Sequence, residues 1–270
     1  MKRGMVVLAL VVLATAQAAP ARPPASVFLE ELTSPELGAA VSAGMTTVLV
    51  PIGGTEQNGP HMVLGKHNVR AKVLAGTIAR ELGNALIAPV IAYVPEGGVN
   101  PPTGHMRYPG TITVPPDVYR KVLDSAARSL RLAGFRDIVF LGDHGDYQKD
   151  NEVVARQLNR DWAGTPARAH AIVAYYRAAA DGFAGSLRAR GYKDAEIGLH
   201  AGLADTSLAL AVDPGLVRSE QLQPTAGAVA TGVSGDPRRA TAELGKSGVD
   251  MIVTQSVAAI RAATAHRQGR

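Results

Sequence analysis

The chain has 270 residues, 46% of them apolar and 19% charged, with a formal charge of +5 and no cysteine. That composition supports a folded core and excludes a disordered or low-complexity chain. It also excludes disulfides, thiolate metal ligands and a cysteine nucleophile, and the scattered placement of Arg120, Lys121, Arg128 and Arg131 speaks against nucleic-acid binding.

Lys2 and Arg3 precede an apolar run, Met5 to Ala14, and then Ala16-Gln17-Ala18. A basic start, a short apolar stretch and a small-x-small site form the pattern of a secretory signal peptide over 1–18. The expectation is export, to the periplasm or the medium, of a mature domain over 19–270. At about ten residues the apolar run falls short of the roughly 20 that cross a bilayer, so no membrane span is expected after cleavage.

Helical spacing predicts a first helix over Glu30 to Ala43, and the run Met45 to Ile52 reads as a buried strand. This strand breaks at Gly53-Gly54 into a loop carrying Glu56, Asn58, His61 and His67. A helix over Asn68 to Leu82 ends at Gly83, and Ala85 to Val94 reads as the second strand. A long Gly/Pro loop, Pro95 to Gly110, holds His105; loops of that length inside a compact domain usually have a function. Thr111 to Val114 reads as a short edge strand. A helix opened by Pro115-Pro116 runs to Leu132, and the strand Asp137 to Leu141 delivers Asp143, His144 and Asp146. Next come a helix to Trp162, a strand over Ala169 to Tyr175, and helices over Ala178 to Arg190 and Ala204 to Val212. A last helix, Ala240 to Ala263, is expected to break near Gly245 to Gly248. Strand–helix alternation of this kind implies one three-layer α/β/α domain with a parallel or mostly parallel sheet.

Imidazoles and carboxylates on two loops that each leave an apolar strand suit zinc, manganese or iron. Open α/β sheets place ligands at the carboxyl ends of their strands. The alternative for each residue is plainer: a histidine in a glycine-rich loop can serve as a hydrogen-bonding residue, and Asp beside Gly is common in turns. His170 and His266 read as structural or solvated.

The residues PIGGTEQNGPHMVLGKH, YPGTITV, IVFLGDHGD, HAGLADTSLALAVDP and GVSGDPRRATAELG occur in that order. In these pieces the chain resembles the creatininase (creatinine amidohydrolase) family over nearly all its mature length. The resemblance implies a homo-oligomer with a divalent-metal site that hydrolyses small non-peptide, often cyclic, amides. By position, Glu56 and His144 match metal ligands of the family. The family's next histidine is Asn58 here, and its bridging aspartate is His67. A carboxylate can bridge two cations, whereas a neutral imidazole offers one lone pair to one metal. The resemblance therefore implies one ion per chain, zinc or else manganese, held by Glu56, His67 and His144, with Asp146 supplementing this set or orienting a ligand. His200 stands at the family histidine of the H-A-G segment and is the candidate for proton transfer, with Asp205 to orient it or contact substrate. The glutamate before that histidine is Leu199 here. Asp205 could equally cap a helix. Asn58, His61 and His105 are candidates for substrate contact, His61 more as a brace of its loop.

The expected reaction is hydrolysis of a small amide by a metal-activated water. With aromatics at 4% and Trp162 on a helix, little is available to stack a flat ring, so creatinine itself is not the expected substrate. Two other readings fit the same residues: a non-catalytic member that binds a metal or small ligand, and a metal-dependent esterase or lactonase.

Overall fold

The computed structural model describes residues 24–222 and 231–265, so the proposed leader, 1–18, and His266 lie outside the described residues. Four strands, β1 (Thr47–Ile52), β2 (Ala85–Ile87), β3 (Asp137–Gly142) and β4 (Arg168–Ala171), form one sheet in the order β2-β1-β3-β4. All three pairings are parallel. Such a sheet needs cover on both faces, and β1 and β3 are accordingly buried along their whole length.

The helices are α1 (Ser34–Ser42), α2 (Lys66–Leu82), α3 (Pro116–Leu132) and α4 (Gln148–Asp161). Next, α5 (Val173–Arg177) passes through a π-helical turn, Ala178–Phe183, into α6 (Ala184–Ala189). The remainder are α7 (Asp194–Ile197), α8 (Leu203–Val212) and α9 (Ala242–Thr264). Strand side chains alternate between two cores. Leu49, Val139 and Leu141 pack with Leu74 and Ile78 of α2, Leu208 of α8 and Ile252 of α9. Val48, Val50, Ile138 and Phe140 pack with Tyr119 and Leu123 of α3 and Leu158 of α4. Period two in the strands and period 3.6 in the helices thus build the three layers that alternation implied.

Several boundaries differ from the sequence expectation, each for a physical reason. The second strand stops at Ile87 because Pro89 has no N–H to add to the ladder. The expected edge strand over Thr111 to Val114 is reduced to one antiparallel bridge, Thr55 to Ile112. The run after Ala171 turns helical; an apolar stretch of that length does not separate the two states. Helix α2 begins at Lys66, so His67 lies in its first turn and not on a loop.

Helix α9 does not break. A Cβ on Gly245 would lie 1.9 Å from the Ser207 carbonyl oxygen, and one on Gly248 would meet Leu208 and Phe183. These glycines let α9 cross α8 and the π-helical turn at backbone distance. Gly245→Ala is therefore expected to cost about 1–3 kcal/mol by overpacking, read as a lower urea midpoint with an unchanged slope.

Candidate metal centre

Tyr147 ties together the loops that leave β1 and β3. Its buried hydroxyl donates to the Gly53 carbonyl (2.6 Å) and accepts from the backbone N–H groups of Asp143 (3.1 Å) and His144 (3.0 Å). The register already sets Ile52 beside Gly142. Both loops therefore open on one sheet edge, where Glu56 and His144 meet.

Glu56 occupies the centre and is fully buried. Its Oε1 lies 2.8 Å from His67 Nε2 and 3.6 Å from both Lys66 Nζ and His200 Nδ1. Oε2 faces His105 Nε2 (3.4 Å) and His144 Nε2 (3.7 Å) and has no hydrogen-bond partner. Burial alone would raise this carboxyl's pKa. The His67 hydrogen bond, with the charges of His67 and Lys66, outweighs burial and holds it well below the usual range. Glu56 is thereby held in its carboxylate form.

His67 is braced from behind. Its Nδ1 is 2.5 Å from Asp143 Oδ2, and Asp143 is held by Arg70 Nε (2.9 and 3.1 Å) and by the Tyr175 hydroxyl (2.8 Å). A carboxylate on one imidazole nitrogen, leaving the other to face the centre, is how proteins orient a metal-binding histidine. Burial and Lys66 lower the His67 pKa, but the bonds to Asp143 and Glu56 prevail and raise it. Burial pushes His144 down to about 4, so its ring is neutral and keeps a lone pair. The Asp146 amide reaches His144 Nδ1 at 3.3 Å, too long to lock that ring.

Gln57 fixes the other two histidines. Its Oε1 accepts from the Gly59 N–H (3.0 Å), which orients the amide so that Nε2 donates to the Gly232 carbonyl (2.9 Å) and to His105 Nδ1 (2.8 Å). His105 then carries its proton on Nε2, so that nitrogen has no lone pair to give a metal, and at 3.4 Å it makes no hydrogen bond to Glu56 Oε2. His200 Nε2–H donates to the Gln57 carbonyl (2.8 Å) and leaves Nδ1 as an acceptor toward Glu56. Burial and the neighbouring Lys66 take His200 down to about 3, so it is neutral and a weak base. Three sets, Glu56–His67–His144, Glu56–His105–His200 and Glu96–His144–Asp146, each bring their ligand atoms within 4.8 Å of one another. The His105 tautomer makes the second a hydrogen-bonding wall; in the first, His67 Nε2 donates to Glu56 Oε1 and would release that proton on taking a metal.

The remaining candidates fall around this centre. Asp205, on α8, accepts from Lys66, from Arg70 Nη1 (2.7 Å) and from the Ala201 N–H (3.0 Å); its hydrogen bonds go to these groups and not to His200. The helix cap is Gly202, not Asp205. Asn58 and His61 sit behind the site. Asn58 Nδ2 donates to the carbonyls of Glu56 and Val63 (2.9 Å each), and His61 Nε2 lies between the Ala201 carbonyl and Thr206 Oγ1 (3.1 Å each). Asp146 is exposed at the rim.

Sequence reasoning missed Lys66, Arg70, Glu96, Gln57 and Tyr175. One signal was available: Lys66 and Arg70 stand one turn apart at the start of α2, where no acidic residue balances them and the helix dipole disfavours cations. A cavity of about 290 Å³ opens beside the centre. Its lining joins polar groups, Lys66, His144, His200 and Asp205, to apolar ones, Ala179, Ala180 and Leu208. The donor set fits a divalent cation. Glu56 Oε2 is buried with no hydrogen-bond partner, and His67 is held with Nε2 on the other carboxylate oxygen, Oε1.

A family model described as creatinine amidohydrolase matches residues 30–260. Mycofactocin precursor peptide peptidases are similar: that of Mycobacterium ulcerans is 30% identical over 240 residues, 78% of this chain and 84% of that one. The Mycolicibacterium smegmatis protein is 35% identical over 103 residues, 36% of this chain and 39% of that one. Creatinine amidohydrolase of Pseudomonas putida is 27% identical over 197 residues, 71% and 74% of the two chains. Solved creatininases, one a manganese form and one a mutant of Zn-Zn type, superpose with TM-scores of 0.72 at 25% identity. They cover 88% of this chain and 99% and 98% of theirs. The layered fold, the carboxylate–imidazole centre and a match over most of the length agree: the chain belongs to the creatininase family.

Proposed function

We propose that the protein is a single-metal amidohydrolase that cleaves a small amide with an aliphatic side. The observation that carries this reading is the buried Glu56 carboxylate, with one oxygen unpartnered and His67 and His144 beside it. Glu56, His67 and His144 would hold one divalent ion, zinc or manganese. When bound there, such an ion supplies Lewis acidity to a carbonyl oxygen and lowers the pKa of water.

The rest is work for the chain's own groups. Asp143 and Arg70 keep His67 from turning. His105 offers an N–H donor and His200 an acceptor nitrogen, both on the side of Glu56, where a water and a leaving nitrogen can be oriented. The lining alanines and Leu199, 95% exposed at the cavity rim, suit an aliphatic group. Tyr176 is the one Tyr, Phe or Trp among the lining residues, which leaves little to stack a flat ring such as creatinine.

The second reading, a short peptide as substrate, is favoured by the similarity to precursor peptide peptidases. Matched panels of aliphatic amides, lactams, their ester analogues and short peptides separate the possibilities. The expected result is turnover of an aliphatic amide or lactam above its ester. Preference for a peptide moves the substrate class, preference for the ester supports the esterase, and no turnover by metal-loaded protein supports the non-catalytic binder. Export and homo-oligomerisation complete the proposal; a mature N-terminus at Ala19 and an assembled mass in solution are the results expected.

A further inference from the structure

We propose that Glu96 is a metal ligand in this chain, sharing with Glu56 and His144 the ion of the centre and supplying a carboxylate where Asn58 supplies none. This rests on the metal-dependent reading above. Glu96 comes from the long loop after β2, and neither its sequence neighbours nor the family resemblance marks it.

Three observations converge on it. Glu96 is 1% exposed, yet neither of its oxygens has a hydrogen-bond partner. A buried carboxylate left so is costly unless something cationic completes it. The Glu56 Oε2 is likewise buried and unpartnered, and both carboxylates share His144 as a neighbour. Unpartnered acceptors in a dry site leave a place that a proton or a metal ion can fill. His144 and Asp146 bring ligand atoms to within 4.8 Å of this carboxylate and of each other.

The backbone is shaped to admit the group. A Cβ on Gly54, where φ is 151°, would lie 2.5 Å from Glu96 Oε1. Glycine is thus required both for the conformation and for the carboxylate's approach. On the other side, the Glu96 N–H donates to Thr113 Oγ1 (2.9 Å), which sets the loop. Asn58 has its amide nitrogen committed to two carbonyls, and its buried Oδ1, also unpartnered, offers only a neutral oxygen. His144 is common to the Glu96 set and the Glu56–His67 set and, as a neutral ring, has one lone pair to give, so one ion shared by both is the reading proposed. Hard carboxylate oxygens in that shell suit manganese as well as zinc.

The test is Mn2+ and Zn2+ titration of the metal-freed full chain by calorimetry, on wild type, Glu96→Gln and Gly54→Ala. Glu96→Gln is nearly isosteric, and the melting temperature of each metal-free variant reports folding separately. The expected result is one site in wild type and an affinity at least about 10-fold weaker in both variants, the scale seen when a supporting group at a metal site is lost. X-ray absorption at the zinc edge should show one fewer light ligand in Glu96→Gln. Unchanged affinity and ligand count in that variant would overturn the assignment while leaving the metal centre intact. No metal bound by wild type would sink the hydrolase reading itself and this assignment with it.

Discussion

Glu56→Gln is expected to lower turnover at least about 1,000-fold, roughly 4 kcal/mol at 1.36 kcal/mol per decade. Glu56 supplies the one charge on which His67, His144, His105, His200 and Lys66 all converge. An amide in its place keeps the shape but loses the anion, so the centre becomes a cluster of imidazoles and an ammonium that repels a divalent cation. Because Gln fits the same volume, the fold should survive, and single-turnover assays beside far-UV circular dichroism separate lost chemistry from lost structure. Retention of more than a tenth of wild-type turnover in folded protein would mean that Glu56 is not at the reacting centre.

Arg70→Met should give the largest loss of stability, about 3–5 kcal/mol, the range for removing one partner of a buried ion pair. Arg70 is 4% exposed and bridges Asp143 and Asp205 at 2.8 and 2.7 Å. Burial works against charge at both carboxylates, and the nearby cations overcome it and keep both pKa values low. Without Arg70, Asp143 faces a dry interior with its charge less compensated, and Asp205 depends on Lys66. The sign in pH follows: stability lent by these two carboxylates is present above their unfolded pKa, near 4, and is lost as pH falls below it. The variant should therefore lose stability at pH 7 and show a shallower acid transition, both read from urea unfolding between pH 3 and 7. Wild-type stability in Arg70→Met would show that the two carboxylates find other partners.

Much of this site was legible in the chain because strands and ligand-type residues leave local signatures. The apolar runs ending at Ile52 and Leu141, each followed by Gly and then a Glu or His, set Glu56 and His144 on loops expected to open on one sheet edge. Supporting groups were illegible for a different reason: their meaning depends on contacts far apart in sequence. Glu96 sits in a Gly/Pro loop that reads as a connector, and only its burial against Glu56 gives it a task. Lys66 and Arg70 look like solvated helix residues until Asp205, some 135 residues away, is folded onto them. The glycines of α9 misled because a glycine that breaks a helix and one that permits a close crossing look alike in sequence. Tyr147 and Gln57 do through hydrogen bonds to backbone what no spacing rule encodes.

Metal content per chain, measured on protein purified without chelator for wild type and His67→Ala, tests the central claim most directly. About one zinc or manganese is expected per wild-type chain and little or none in the variant, since His67, the proposed ligand, is held in place by Asp143 and Arg70. A wild type that takes up no metal even after reconstitution, or a His67→Ala protein that keeps a full equivalent, would contradict it.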